Sequence, residues 1–147
     1  MIHRRTPTSD KLDLNIGKIE RMDSLHSMAR SYFPHKNAKQ LRTAFKVIWL
    51  AIRRSKEGKI FWGEVHGFLD WLRSKKGFTL DVTLSSLFKA RNKMRKVGVI
   101  ELRQGQWKFS TRLTRSLMIL SEKTNSFQQQ RTPGEEEDAL TQLLYEL

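Results

Sequence analysis

The sequence predicts a mostly α-helical fold with one small β-hairpin, an N-terminal helical extension and an acidic C-terminal tail. Three observations predict it. Apolar residues recur at three- and four-residue spacing through most of the 147 residues, the pattern of amphipathic helices. The pattern changes to alternation around Gln104-Gly105, a pair suited to a tight turn because glycine tolerates positive φ. Charge is also segregated. All 28 basic residues and ten of the 15 acids lie up to Gly134, a net +18, whereas residues 135–147 hold five acids and no base, a net −5.

Residues 1–15 are polar and read as a flexible N-terminus. Ile16, Ile19, Met22, Leu25, Met28, Ala29 and Tyr32 then form a helical stripe closed by Pro34, an extension over residues 16–34. The preferred reading is one helix. The alternative is a short strand through Leu12, Leu14 and Ile16, then a helix capped by Asp23 or Ser24. Asn37 has the chemistry of an N-cap for a second helix reaching about Arg54. Leu41, Phe45, Ile48, Trp49 and Ile52 share one face of it. Val47, Leu50 and Ala51 make its later half apolar nearly all round, the mark of a central helix.

Lys56-Glu57-Gly58-Lys59 reads as a turn and Ile60-Phe61-Trp62 as a short strand. Val65, Phe68, Leu69 and Leu72 give the next helical face, closed by Lys75, Lys76 and Gly77. Gly63 and Gly67 weaken that helix by about 1 kcal/mol each relative to alanine. Phe78 to Val82 connects to a basic helix over residues 83–97, stopped at Gly98 and followed by a hairpin over residues 99–109. Thr111 caps a last helix carrying Leu113, Leu117 and Leu120. SFQQQRTPG, from residue 126, is linker-like, and EEEDALTQLLYEL is an acidic amphipathic segment. The main domain is therefore expected over residues 37–125, with residues 126–147 as linker and tail.

The formal net charge of +13 and a pI near 10.4 are the footprint expected of nucleic-acid binding. Anionic membranes and acidic proteins are compatible with the same charge. The absence of cysteine excludes disulfides, thiolate zinc sites and cysteine nucleophiles, and fits a reducing cytoplasm. MIHRRTPTSDK has no apolar segment after its arginines, so no signal peptide is expected. The apolar run at 44–52 is interrupted by Lys46 and too short for a bilayer. The expected location is the cytoplasm, with the nucleoid in a prokaryote, and no membrane partner.

On a helical wheel of about 100° per residue, Leu87, Ala90, Met94 and Val97 share one arc, with Leu84 and Arg91 at its edge. Ser85, Lys89, Asn92 and Lys96 fall opposite, flanked by Phe88 and Lys93. In a major groove, Ser85, Lys89 and Asn92 are best placed for base edges, since asparagine can pair bidentately with adenine and lysine can reach guanine acceptors. Lys93, Arg95 and Lys96 lie nearer the C-terminal end, where phosphates are the natural partners. The N–H groups around Ser85 and Ser86 offer a further phosphate site. A solvated charged face is the plainer reading.

In the hairpin, Ile100 and Leu102 point to one side and Glu101 and Arg103 to the other. Trp107 and Phe109 face the core while Gln106 and Lys108 project outward. Arg103, Gln104, Gln106 and Lys108 are placed to touch phosphates or a minor groove; the alternative is a hairpin that only closes the core. Core packing is the favoured role for Trp107, and stacking on an unpaired base is the other.

The order helix, helix, strand, helix, helix, hairpin, helix resembles the winged helix-turn-helix superfamily, which includes many bacterial and archaeal transcription regulators. The resemblance covers about residues 37–124. Its most telling piece is LSSLFKARNKMRKVGVIEL, similar to a recognition helix running into the first strand of a wing. The chain departs from the usual pattern at Arg91, where many members carry leucine, so that Ala90 is left to fill the core. The resemblance implies double-stranded DNA as partner, the 83–97 helix in the major groove, and a role in transcription regulation. The alternatives are a replication-initiation or plasmid or virus maintenance protein, an RNA or single-strand binder, and a protein-interaction module.

An enzyme is not expected. His3, His26, His35 and His66 are in no metal-ligand pattern, and HExxH, a Gly-rich phosphate loop and GxSxG are all missing. Carboxylates are too scarce in the basic body for a two-metal site, and no cofactor is implied. His66 and Asp70 read as a surface pair, and Tyr145 has no catalytic basic set around it. Leu113, Leu117, Leu120 and the stripe before Pro34 suit either a homodimer interface or the monomer core. The acidic tail has three readings: docking on the basic face in competition with DNA, a disordered solubilising tail, or docking of Leu140, Leu143, Leu144 and Leu147 on another protein.

Overall fold

The computed structural model describes residues 11–75, 80–129 and 133–146. The elements run α1 (Ile16–Glu20), α2 (Leu25–Tyr32), α3 (Lys39–Arg54), β1 (Lys59–Phe61), α4 (Trp62–Arg73), α5 (Leu84–Val97), β2 (Ile100–Arg103), β3 (Gln106–Phe109), α6 (Arg112–Gln129) and α7 (Pro133–Glu146). The protein is thus mostly helical with a three-stranded antiparallel sheet in the order β1-β3-β2. Two compact units meet at the Thr111–Arg112 bond, earlier in the chain than the boundary near 125 that composition suggests.

The N-terminal stripe is two helices rather than one. Ser24 ends the continuity by capping α2: its Oγ accepts the Ser27 N–H at 3.1 Å, and the Ser24 N–H donates to Ser27 Oγ at 3.1 Å. The alternative cap at Ser24 is therefore the one realised, and no strand forms through Leu12, Leu14 and Ile16. Asn37 does not cap α3. The N-cap is Ala38, without a side-chain bond, and the Asn37 N–H donates to His35 Nδ1 at 3.1 Å.

α3 is central, as its apolar circumference predicts. It packs against α2, α4, α5 and the sheet, and it buries Leu41, Ala44, Phe45, Val47, Ile48, Ala51 and Ile52. The Phe45 ring lies 4.8 Å from Tyr32 and 5.7 Å from Trp49, and Phe33 meets it edge-on. Burial in this cluster pushes the Tyr32 phenol up to about 12.

β1 ends at Phe61, and Trp62, expected in the strand, opens α4 instead. Ile60 pairs with Trp107 from one side of β3 while Leu102 pairs with it from the other. Arg103 pairs with Gln106, leaving Gln104 at φ 51° and Gly105 at φ 76°. Two successive positive φ values are what a right-twisted two-residue hairpin requires. Arg73 of α4 donates to the Val82 carbonyl, tying α4 to the approach to α5. The expected α4 stop at Lys76-Gly77 and the start of the connection at Phe78 lie outside the described residues.

In the second unit, α6 continues through Gln129, so the linker expected from residue 126 is helical up to that point; residues 130–132 of it are not among those described. No residue of α6 is buried. Leu140, Leu143, Leu144 and Tyr145 of α7 are exposed.

Candidate nucleic-acid interface

α5 is closed at both ends by the residues its sequence supplies. Thr83 is the N-cap, its Oγ1 accepting the Ser86 N–H at 3.0 Å. At the other end Gly98 adopts φ 85°, and the Val99 N–H returns to the Met94 carbonyl at 3.0 Å. Between these caps, Leu87, Ala90 and Met94 are fully buried against α3. Ser85, Phe88, Arg95 and Lys96 are exposed, and Lys89 and Asn92 are half-buried. Burial follows the wheel at Leu87, Ala90 and Met94, Val97 of the packed arc is half-buried, and Lys93 and Ser86 depart from expectation.

Lys93 belongs to neither the presented face nor its flank. It is 4% exposed, its Nζ donates to the Lys11 carbonyl at 2.9 Å, and it lies 4.8 Å from the centre of the Phe33 ring. A buried ammonium needs such a hydrogen bond to offset its lost hydration. Ser86 is likewise withdrawn. Its N–H is taken by Thr83, and its hydroxyl donates to Gln40 Oε1 at 2.9 Å, while Gln40 Nε2 donates to Asp81 Oδ1 at 3.2 Å. The phosphate site expected at Ser85 and Ser86 thus has one of its two donors occupied. A shallow cavity beside it is lined by Lys39, Asp81, Ser86 and Lys89, and the Asp81 carboxylate offsets part of its positive field.

Arg91 is the residue whose role the wheel could not resolve. Its guanidinium sits over three rings, 4.3 Å from Phe88, 4.6 Å from Trp62 and 4.8 Å from Trp107. Nε is buried without a hydrogen-bond partner, so ring faces take the place of polar acceptors. Burial, with Arg95 as a second cause, pulls the guanidinium below its usual value. Arg95 lies 5.7 Å from the same Trp107 ring. This geometry settles the choice for Trp107: it is 4% exposed, flanked by two guanidiniums and the Trp62 ring, and has no face for an unpaired base.

The hairpin gathers the expected polar residues. Arg103, Gln104, Gln106 and Lys108 line one open cavity of about 430 Å³, joined by Lys59 of β1, which the sequence did not single out. The register explains the addition, since Lys59 is the partner of Lys108. Glu101 lies 3.5 Å from both Arg103 and Lys108, and Glu57 lies 3.6 Å from Lys59. Such solvent-screened pairs are weak and are readily exchanged for another anion.

The three described histidines are engaged structurally: His66 packs edge-on against Trp62, His35 accepts from Asn37, and His26 Nδ1 lies 2.9 Å from Lys46 Nζ; His3 lies outside the described residues. Among the described residues no cluster of three metal-ligating side chains forms, and no helix is long and apolar enough to cross a membrane. What the face offers is hydroxyl, amide and cationic donors on one helix beside a cationic hairpin tip. Comparison with protein-family models, with curated proteins and with solved structures yields no match to this chain.

Proposed function

We propose that this protein binds double-stranded DNA as a winged helix-turn-helix regulator of transcription. α5 lies in the major groove, and the β2–β3 turn rests on the flanking backbone or minor groove. The observation that carries the reading is the division of α5 between its fully buried Leu87, Ala90 and Met94 and its exposed Ser85, Arg95 and Lys96, with Lys89 and Asn92 half-buried between them. Lys89 and Asn92 meet base edges, while Arg95, Lys96 and the cations around the hairpin cavity hold phosphates. The element order and the β1-β3-β2 sheet support the winged-helix assignment.

Homodimerisation through α6 is part of the proposal. Leu117, Met118, Ile119, Leu120 and Phe127 are all exposed on a helix with no buried residue, and apolar area of this kind favours association. The acidic α7 is proposed to compete with DNA for the basic body, on the −5 against +18 division of charge. Deleting residues 132–147 should then raise DNA affinity at fixed salt; unchanged affinity would remove that part.

Competition between duplex and single-stranded oligonucleotides of one sequence tests the main reading. Duplex should win, with affinity falling steeply as salt rises. Preference for the single strand would overturn it.

A further inference from the structure

The N-terminal extension, which the duplex reading leaves unused, builds a second cationic surface. A cleft of about 510 Å³ between α1, α2 and the start of α3 is lined by Lys18, Arg21, Arg30, Lys36 and Arg42, together with two serines and a proline. Among the described lining residues there is no carboxylate and no aromatic ring. Two of the cations are fixed by backbone rather than by acids. Arg42 Nη1 donates to the Phe33 and His35 carbonyls at 3.0 and 2.8 Å, and Arg21 Nε donates to the Gly17 carbonyl at 3.0 Å. Lys18 pairs with a carboxylate, Asp13 at 2.8 Å. Arg30 and Lys36 are exposed and make no ion pair with an acid among the described residues.

The field of this cleft reaches its neighbours. His26 is held below the usual histidine value first by Lys46, then by burial, Arg30 and Arg42, and Lys46 is itself pulled down by burial and Arg42. Five like charges gathered in a concave site focus a positive potential that an anion would neutralise. The described lining offers phosphate-binding cations and no ring on which a nucleobase could stack. Lys36 lines this cleft and the adjacent Asn37 lines the cavity that holds Lys89, so the two cationic surfaces adjoin.

We propose that the cleft between α1, α2 and the start of α3 is a phosphate-binding site, distinct from the α5 face. It takes phosphate groups without reading a base, from a nucleic-acid backbone or from a free polyphosphate. It does not depend on the duplex reading of α5.

The test uses the full chain and a variant carrying Arg30→Ala and Lys36→Ala, two exposed residues whose removal leaves the carbonyl-anchored arginines in place. In one arm, inorganic tripolyphosphate is titrated while amide NMR shifts are followed. Shifts in α1, α2 and the start of α3, with affinity weakened roughly tenfold in the variant, support the site with free phosphate as a source. In the other arm, binding to a duplex of roughly three helical turns is measured across salt concentrations, and loss of two backbone contacts lowers the salt slope by about 1.8. That result supports the site with the nucleic-acid backbone as a source. Arg30→Lys with Lys36→Arg should restore binding in whichever arm responds. If neither arm separates wild type from variant while the variant's amide spectrum stays native, the proposal is wrong. Should the protein bind no duplex at all, the α5 reading fails, and the tripolyphosphate arm alone decides the cleft.

Discussion

α5 and α6 have similar credentials as amphipathic helices and opposite fates. Each carries apolar residues at helical spacing amid lysine and arginine, yet α5 buries five residues and α6 buries none. The contrast teaches that periodicity defines a stripe, while topology decides whether anything lies opposite it. α5 has α3 across its stripe; α6 displays Leu117 and Leu120 on its surface. The same spacing therefore codes for folding in one helix and is available for association in the other.

Truncation should separate the two helices most sharply. Leu87→Ala removes a fully buried side chain and is expected to cost about 2–5 kcal/mol in urea denaturation. Leu117→Ala at a protein concentration where copies stay apart should remain within about 0.5 kcal/mol of wild type. Equal losses would erase the distinction. Leu117→Glu with Leu120→Glu should abolish any dimer seen by light scattering while leaving the monomer folded.

The packed unit should also carry a pH signature. Tyr32 titrates at about 12 in the folded protein against 10.0 for the free phenol. Because the folded value is the higher one, this contribution is fully present below pH 10 and disappears as pH rises from 10 to about 12. The full loss is on the order of 2–3 kcal/mol. Absorbance titration of the phenolate, with unfolding measured at each pH, would check it.

Arg91→Ala, which uncovers three rings, should cost about 1–2 kcal/mol, with Arg91→Lys recovering only part because an ammonium does not stack as a planar guanidinium does. A full recovery by lysine would mean that charge alone matters there. The smallest effect has the opposite sign. A Cβ on Gly67 meets nothing within 4 Å, so Gly67→Ala should stabilise α4 by up to about 1 kcal/mol, read as a rise in thermal midpoint.

Local signals were legible in the sequence where the partner is local. The Gly98 stop, the Gln104-Gly105 turn and the Leu87-Ala90-Met94 stripe need only neighbours a few residues away, and all three are present. Lys93 and Ser86 depart from what their spacing predicts because their partners come from Lys11, Phe33 and Gln40, far along the chain. Trp62 left the expected strand because α4 begins directly after β1, with no intervening loop. The N-terminal cleft had no sequence signature at all, since its five cations are scattered over 25 residues and only the turn of α1 and α2 against α3 collects them. Arg91 stood between these cases. Its position at the edge of the packing arc and its neighbour Phe88 on the same helix were readable, but the other two rings that receive it come from α4 and β3.

The most direct test of the central proposal is selection of bound sequences from a randomised duplex library, run in parallel with wild type and with Lys89→Ala plus Asn92→Ala. Wild type should enrich a defined motif, and the variant should lose preference at the positions those side chains read while keeping its salt-dependent affinity for duplex. An identical motif from both proteins would contradict the assignment of α5 as the reading helix.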